Sequence, residues 1–247
     1  MHLSTSLPLR LPSVCLPLIV ALGCGGCGSN SIDEVDAYTL KGVVKDAAGN
    51  PLAGVEVFAD DTMEYNANTV GVTDEKGEYR IALAPNRVTT YRATAQVTTQ
   101  WDGQSWRLSL HPDNGNAFAA ADGAVRNFTW RLSGKDQQGL TYGSTIWVYR
   151  DLDDNELDLE QVEVRFEPAG PRIDGSQGEG FSMRLADGSD RVDVPLGRYS
   201  VTARHLGDEG LPVKVRIRDT GDYAPSVEAG FVSHTSYGMM ELEVSSR

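Results

Sequence analysis

Cysteine is nearly missing. The chain of 247 residues has three, at positions 15, 24 and 27, and none beyond. A body of that size without thiols can build neither a disulfide framework nor a thiolate metal centre, so its core must hold by burial alone. Basic side chains are also scarce, with 22 Lys and Arg against 35 Asp and Glu and a formal charge of −13. Capture of a phosphate backbone needs the opposite balance, which argues against nucleic acid as a partner. Of four histidines, His111, His205 and His234 lie beyond the N-terminus, far apart and without ligand spacing. The sequence contains no His-Glu-x-x-His zinc helix, no Gly-x-Ser-x-Gly elbow and no phosphate loop. It therefore reads as a non-enzyme. Sustained helical periodicity with caps is absent too, so helix content should be small.

The N-terminus carries one positive charge, Arg10, followed by an apolar run from Leu11 to Gly23 that Pro12 and Pro17 interrupt. The run is too short for a membrane-spanning helix, which needs about 20 apolar residues, and it has the layout of a secretory signal. Ala21-Leu22-Gly23-Cys24 resembles the bacterial lipoprotein signal, in which cleavage before the cysteine frees it to take lipid. That resemblance implies a signal peptide over 1–23, lipid on Cys24 with Cys27 as the second acceptor, and a membrane anchor at the bacterial cell envelope. The family's sorting rule, with Gly25 after the modified cysteine, places it at the outer membrane or cell surface. Ordinary secretion or an uncleaved tether is the alternative. Cleavage removes Arg10 and no acid, moving the net charge from −13 to −14.

Residues 24–37 have no hydrophobic period and many small or acidic residues, the composition of a flexible tether. From Tyr38 the texture becomes short alternating runs between turn signals, which marks an all-β sandwich or barrel. Strands are predicted at 39–45, 55–58, 69–73, 79–83, 89–98, 105–110 and 126–132. Ser133 to Gly139 is polar and ends in glycine, a seam between domains. Strand texture then resumes at 144–150, 162–167, 181–185, 191–194, 198–204, 213–218 and 240–244. A weak internal repeat links the halves. Ile81-Ala-Leu-Ala-Pro85 before Tyr91-Arg-Ala-Thr-Ala95 matches Val192-Asp-Val-Pro195 before Tyr199-Ser-Val-Thr-Ala203. Two similar sandwiches, at 38–133 and 140–247, explain it; shared β alternation is the simpler account.

Gly42-Val-Val-Lys-Asp-Ala-Ala-Gly-Asn-Pro-Leu-Ala-Gly-Val-Glu-Val57, with Val72-Thr-Asp-Glu-Lys-Gly-Glu-Tyr-Arg-Ile81, resembles the carboxypeptidase regulatory-like domain. That resemblance implies a transthyretin-like (prealbumin-like) β-sandwich, and hence two such sandwiches in tandem. Domains of this family accompany peptidases as accessory modules and carry no peptidase site. Trp147 to Val164 is more distantly similar to the B-type repeats of bacterial surface adhesins, although Glu156 stands where that turn usually has glycine.

Two clusters could carry binding. Asp151, Asp153, Asn155 and Asp158 place oxygen ligands at close intervals, as a calcium loop does. A solvated acidic turn is the other reading. Trp101-Asp-Gly-Gln-Ser-Trp106 sets two tryptophans about a glycine turn, which would suit stacking on sugar rings if they are exposed and would be core if they are not. Several carbohydrate-binding modules share this general sandwich, which is analogy only. The expectation is a non-enzymatic envelope lipoprotein that acts as a binding or structural module, with a glycan or an envelope protein as partner. It would need no cofactor, with calcium the one candidate ion. The alternative is an accessory module that presents or steadies a partner enzyme.

Overall fold

The computed structural model describes residues 31–85, 88–137, 139–234 and 237–247. The segment read as a signal and most of the predicted tether, including Cys24 and Cys27, lie outside them. Residues 32–247 form one compact unit.

Its first half has nine strands: β1 (Thr39–Asp46), β2 (Glu56–Asp61), β3 (Asn68–Val72), β4 (Glu78–Ala82), β5 (Thr90–Trp101), β6 (Gln104–Pro112), β7 (Phe118–Ala119), β8 (Ala124–Val125) and β9 (Phe128–Trp130). They join in the order β3-β2-β5-β6-β9-β1-β4, with β7 on β5 and β8 on β1. The two ends of this path meet: a Cβ added to Gly71 of β3 would come within 2.7 Å of Ile81 Cγ1 on β4. A side chain at position 71 would force Ile81 to shift.

The second half contains β10 (Ser144–Arg150), β11 (Val162–Pro168), β12 (Phe181–Arg184), β13 (Asp190–Val194), β14 (Tyr199–His205), β15 (Lys214–Ile217), β16 (Thr220–Ala224), β17 (Ser226–Ala229), β18 (Val232–His234) and β19 (Tyr237–Ser245). One sheet runs β13-β10-β19-β15-β16 with β18 on β19, and the facing sheet runs β12-β11-β14-β17. Single 3-10 turns at Leu159–Gln161 and Leu185–Asp187 are the helical elements among the described residues.

The fold is all-β, and the internal repeat reappears in strand pairing. β1 pairs antiparallel with β4 and parallel with β9, as β10 pairs with β13 and β19. β2 lies between β3 and β5, as β11 lies between β12 and β14. The halves differ at one joint. β5 and β6 form a long hydrogen-bonded hairpin that links the two layers of the first half, whereas β14 has no such ladder to β15.

Alternation accounts for the cores. β5 reads exposed–buried from Thr90 to Val97, and Tyr91, Ala93, Ala95 and Val97 point inward. In the second half Ile146 and Val148, with Leu242 and Val244 beside them on β19, and Val162, Val164, Phe166 and Val201 of the facing sheet are all almost wholly enclosed. Each large aliphatic or aromatic side chain removed from water contributes about 1.5–3 kcal/mol, so burial sustains the fold without crosslinks.

The boundary of the tether shifts. Asp36, counted with the tether from its sequence, is fixed on the body: its Oδ2 accepts from Lys41 Nζ at 2.9 Å and Arg80 Nη2 at 2.6 Å. Those two bonds, Lys41 first, hold the Asp36 carboxyl below its ordinary value. The Lys41 side chain is enclosed, and a carboxylate partner is what makes a buried ammonium tolerable.

The halves are bonded to each other. The turn Asp102-Gly103, with φ of 49° and 73°, lets β5 reverse directly into β6 and pushes Gln104 against the second half. Gln104 Nε2 donates to the Phe231 carbonyl, and its Oε1 accepts from the Ser233 N–H, both at 3.1 Å. Beside it Arg198 bridges Asp102 at 3.1 Å and Glu228 at 3.0 Å. Asp193 accepts from the N–H groups of Gly134 and Gly143, at the two ends of the seam. The seam is therefore a pinned turn, closed by the Asp136 N–H on the Leu140 carbonyl at 2.9 Å.

Candidate functional sites

The tryptophan pair does not form a stacking platform. The two-residue turn pairs Trp101 with Gln104, so Trp106 falls on the same face as Leu108 and Leu110 and is fully enclosed. Its Nε1 donates to the Trp101 carbonyl at 3.2 Å, which satisfies the one polar atom the burial would strand. Trp101 is partly buried, packs against the core, and meets Trp106 edge-on at 6.1 Å. Trp106 is thus a core residue and Trp101 packs against the core, the second of the two readings given for the pair.

The acidic run is also spent on structure. Asp151 Oδ1 accepts from the Asp153 N–H, and Asp158 Oδ1 caps the 3-10 turn through the Glu160 N–H, each at 3.0 Å. Asp153, Asn155 and Asp158 are exposed. Among the described residues no three His, Cys, Asp or Glu side chains gather as a metal-holding group. Asp151, Asp153 and Asp158 are thus not gathered around one point, and the carboxylates of Asp151 and Asp158 are bent back to the local backbone.

Sequence reasoning passed over Asp154, the enclosed member of that run. Leu157 packs into the core beside it and draws the loop inward. Asp154 Oδ2 accepts from the Ser246 N–H at 2.6 Å, Ser246 Oγ at 2.8 Å and Ser245 Oγ at 3.0 Å, and Oδ1 accepts weakly from the Leu157 N–H. Burial works against the charged form, but these bonds outweigh it and hold the carboxyl down at about 2. No signal in the local sequence marks this residue, because the two serines lie some ninety positions away.

The outer face of β10-β19-β15-β16 is the most ordered polar surface. Trp147 and Tyr149 stand two residues apart with rings 6.3 Å apart and 16° from parallel. The Arg218 guanidinium lies 3.9 Å over the Tyr149 ring and bonds Glu241 at 2.7 Å. Next to it Arg216 bonds Glu243 and lies 4.4 Å over the Tyr223 ring. Burial first, then Glu243, raises the Tyr223 hydroxyl above its ordinary value. On this face Arg216 and Arg218 are paired with Glu243 and Glu241.

At the seam His111 Nδ1 sits 3.1 Å from Asp136 Oδ2, with its ring edge-on to Tyr142 at 5.0 Å. A cavity of about 100 Å³ next to it is lined by Trp130, Leu132, Leu196 and Tyr237.

Residues 29–108 match the family model for the bacterial Ig-like domain (group 1), the segment on which the carboxypeptidase regulatory-like resemblance rests. No curated protein sequence matches the chain. Among solved structures, the Bacillus anthracis TIE protein is 12% identical with a TM-score of 0.38, covering 84% of this chain and 33% of its own. The chain thus spans about a third of that protein's length. A streptococcal ancillary pilin is 12% identical with a TM-score of 0.24, covering 84% of this chain and 69% of its own. A C-terminal fragment of the pilus adhesin SpaC from Lactobacillus rhamnosus GG is 10% identical with a TM-score of 0.26, covering 84% and 97% respectively.

Proposed function

We propose that the chain is a non-enzymatic module of the bacterial cell envelope: two β-sandwiches bonded into one rigid body, held to a membrane by lipid on Cys24. The observation that carries this reading is that the chemistry-bearing side chains are used within the fold. Trp106 closes the core, Asp154 ties down the last strand, and the arginines and glutamates of the outer sheet pair with one another. What remains is a fixed shape. The Ig-like match over residues 29–108 supports a module of this kind, and the apolar run ending at Cys24 supports the anchor.

The anchor is tested by metabolic labelling with a fatty-acid analogue. The wild type and Cys27→Ser should take label and appear in the membrane fraction, and Cys24→Ser should do neither. Equal labelling of Cys24→Ser would show that Cys24 is not the acceptor and would overturn this part of the reading.

A further inference from the structure

The first sandwich has two unlike ends. At one end the β5–β6 turn carries Gln104 and Asp102 onto the second half. Strand directions place a different set of loops at the other end. There β1 begins at Thr39, beside Ala82 where β4 finishes; β2 finishes at Asp61, beside Tyr91 near the start of β5; and β3 begins at Asn68. The chain enters the body at this end, where Tyr38 donates its N–H to the Ala120 carbonyl and accepts from the Leu83 N–H, both at 2.8 Å.

Large apolar side chains stand in water here. Tyr65 and Val88 are fully exposed, Met63 is 78% exposed and Val35 54%, and Tyr38, three residues beyond Val35, is also exposed. Their loops are braced: Thr62 donates its N–H to the Thr90 carbonyl, Thr89 Oγ1 bonds Asp61 at 2.6 Å, and Asp61 also accepts from the Met63 N–H. Exposed single apolar residues are ordinary, but several on braced loops at one end of a domain mark a contact.

We propose that this end is a bilayer-contacting face, in which Met63, Tyr65 and Val88, with Val35 and Tyr38, rest in the interface of a zwitterionic membrane. The inference rests on the lipid anchor read above, and the chain length supplies the occupant. Eleven residues of chain separate Cys24 from Val35, which can span at most about 40 Å. A lipid on Cys24 therefore keeps these loops within reach of the headgroups at an effective concentration of roughly millimolar, so a weak apolar contact suffices to hold the face down. Tyrosine suits the interface, with its ring in the acyl boundary and its hydroxyl in water. Exposed Glu34, Glu64 and Asp122 stand at the same end, which selects against a strongly anionic surface. Docked in this way, the membrane lies opposite the Gln104 end, and the second sandwich is left free for a partner.

The test uses the lipidated full-length protein in phosphatidylcholine vesicles with brominated acyl chains. Tyr65→Trp puts a fluorophore at a fully exposed position, and Ala47→Trp puts one on an exposed turn at the opposite end. The native tryptophans are common to both variants. The added emission of Tyr65→Trp should be blue-shifted and quenched at least twofold, that of Ala47→Trp should be unchanged, and the quenching should weaken in phosphatidylglycerol vesicles. If the protein floats with the vesicles while both probes respond alike, the anchor stands and the docking face is wrong. A blue shift without bromine quenching would assign the face to a protein contact, such as a second copy, and overturn the proposal. If the protein does not float at all, the anchor itself fails and the face falls with it.

Discussion

Replacing Asp154 with asparagine removes the one enclosed carboxylate of the acidic loop and leaves the side chain's shape in place. In the wild type that group holds Ser245 and Ser246, at the end of β19, through three bonds of 2.6 to 3.0 Å. β19 is the central strand of its sheet, bonded to β10 on one side and β15 on the other. Asparagine keeps one acceptor oxygen for the serines, turns the Oδ1 position into a donor facing the Leu157 N–H, and loses the charge. Hydrogen bonds to charged groups are worth roughly 1.5–3 kcal/mol each and are not additive, so a net cost of about 2–3 kcal/mol is expected. The carboxyl, held by the same bonds at about 2 against an ordinary 3.8, corresponds to a contribution on the order of 2 kcal/mol. For a chain of this size that corresponds to a fall in thermal midpoint of roughly 5–10 °C at pH 7. The pH dependence gives the sharper check. A carboxyl whose folded value lies below its unfolded one contributes stability above the unfolded value and loses it as pH falls toward the folded one. The gap between wild type and Asp154→Asn in thermal melts should therefore be constant from pH 7 to about 5 and narrow between about pH 4 and pH 2. A gap unchanged at pH 3, or equal midpoints at pH 7, would refute the reasoning.

Other outcomes follow from the same geometry. Trp106→Ala should cost about 3–5 kcal/mol in urea unfolding, and Trp101→Ala clearly less, since only Trp106 is wholly enclosed. Equal small effects would return both residues to the surface. Millimolar calcium should leave the melting curve unchanged, with or without Asp151→Asn and Asp153→Asn, because no three acidic side chains of the described loop gather about one point; a calcium-dependent rise lost in that double variant would restore the calcium loop. Gln104→Ala should cost about 1–2 kcal/mol and speed hydrogen exchange of the Ser233 amide, while amides within β2 stay protected. Unchanged exchange at Ser233 would show that the clamp does not hold the halves together.

The strands were readable because alternation and turn chemistry agree along most of the chain. The segment from Thr220 to His234 was not, since Gly221, Pro225 and Gly230 break it into pieces too short to show a period. The fate of the tryptophans was partly written in the alternation Trp106-x-Leu108-x-Leu110, which puts all three on one face; the glycine turn suggested exposure instead. Asp154 differs in kind. One carboxylate among six in a ten-residue run is buried because two serines near residue 245 arrive beside it, and no local pattern encodes a partner that distant. Trp147 and Tyr149 alternate with Ile146 and Val148, so their common face was legible, but the arginines stacked over that face come from β15 and its flank. Pairing between strands, unlike the strands themselves, is decided by the whole fold.

The central claim is that the body acts as a fixed shape held at a membrane through Cys24. Intact mass spectrometry of the chain purified from detergent-extracted membranes tests it most directly. The account predicts a mature chain that begins at Cys24 and carries the mass of a diacylglyceryl group and an N-acyl chain, all of it lost in Cys24→Ser. A mature chain beginning at any other residue with no added lipid mass would contradict it.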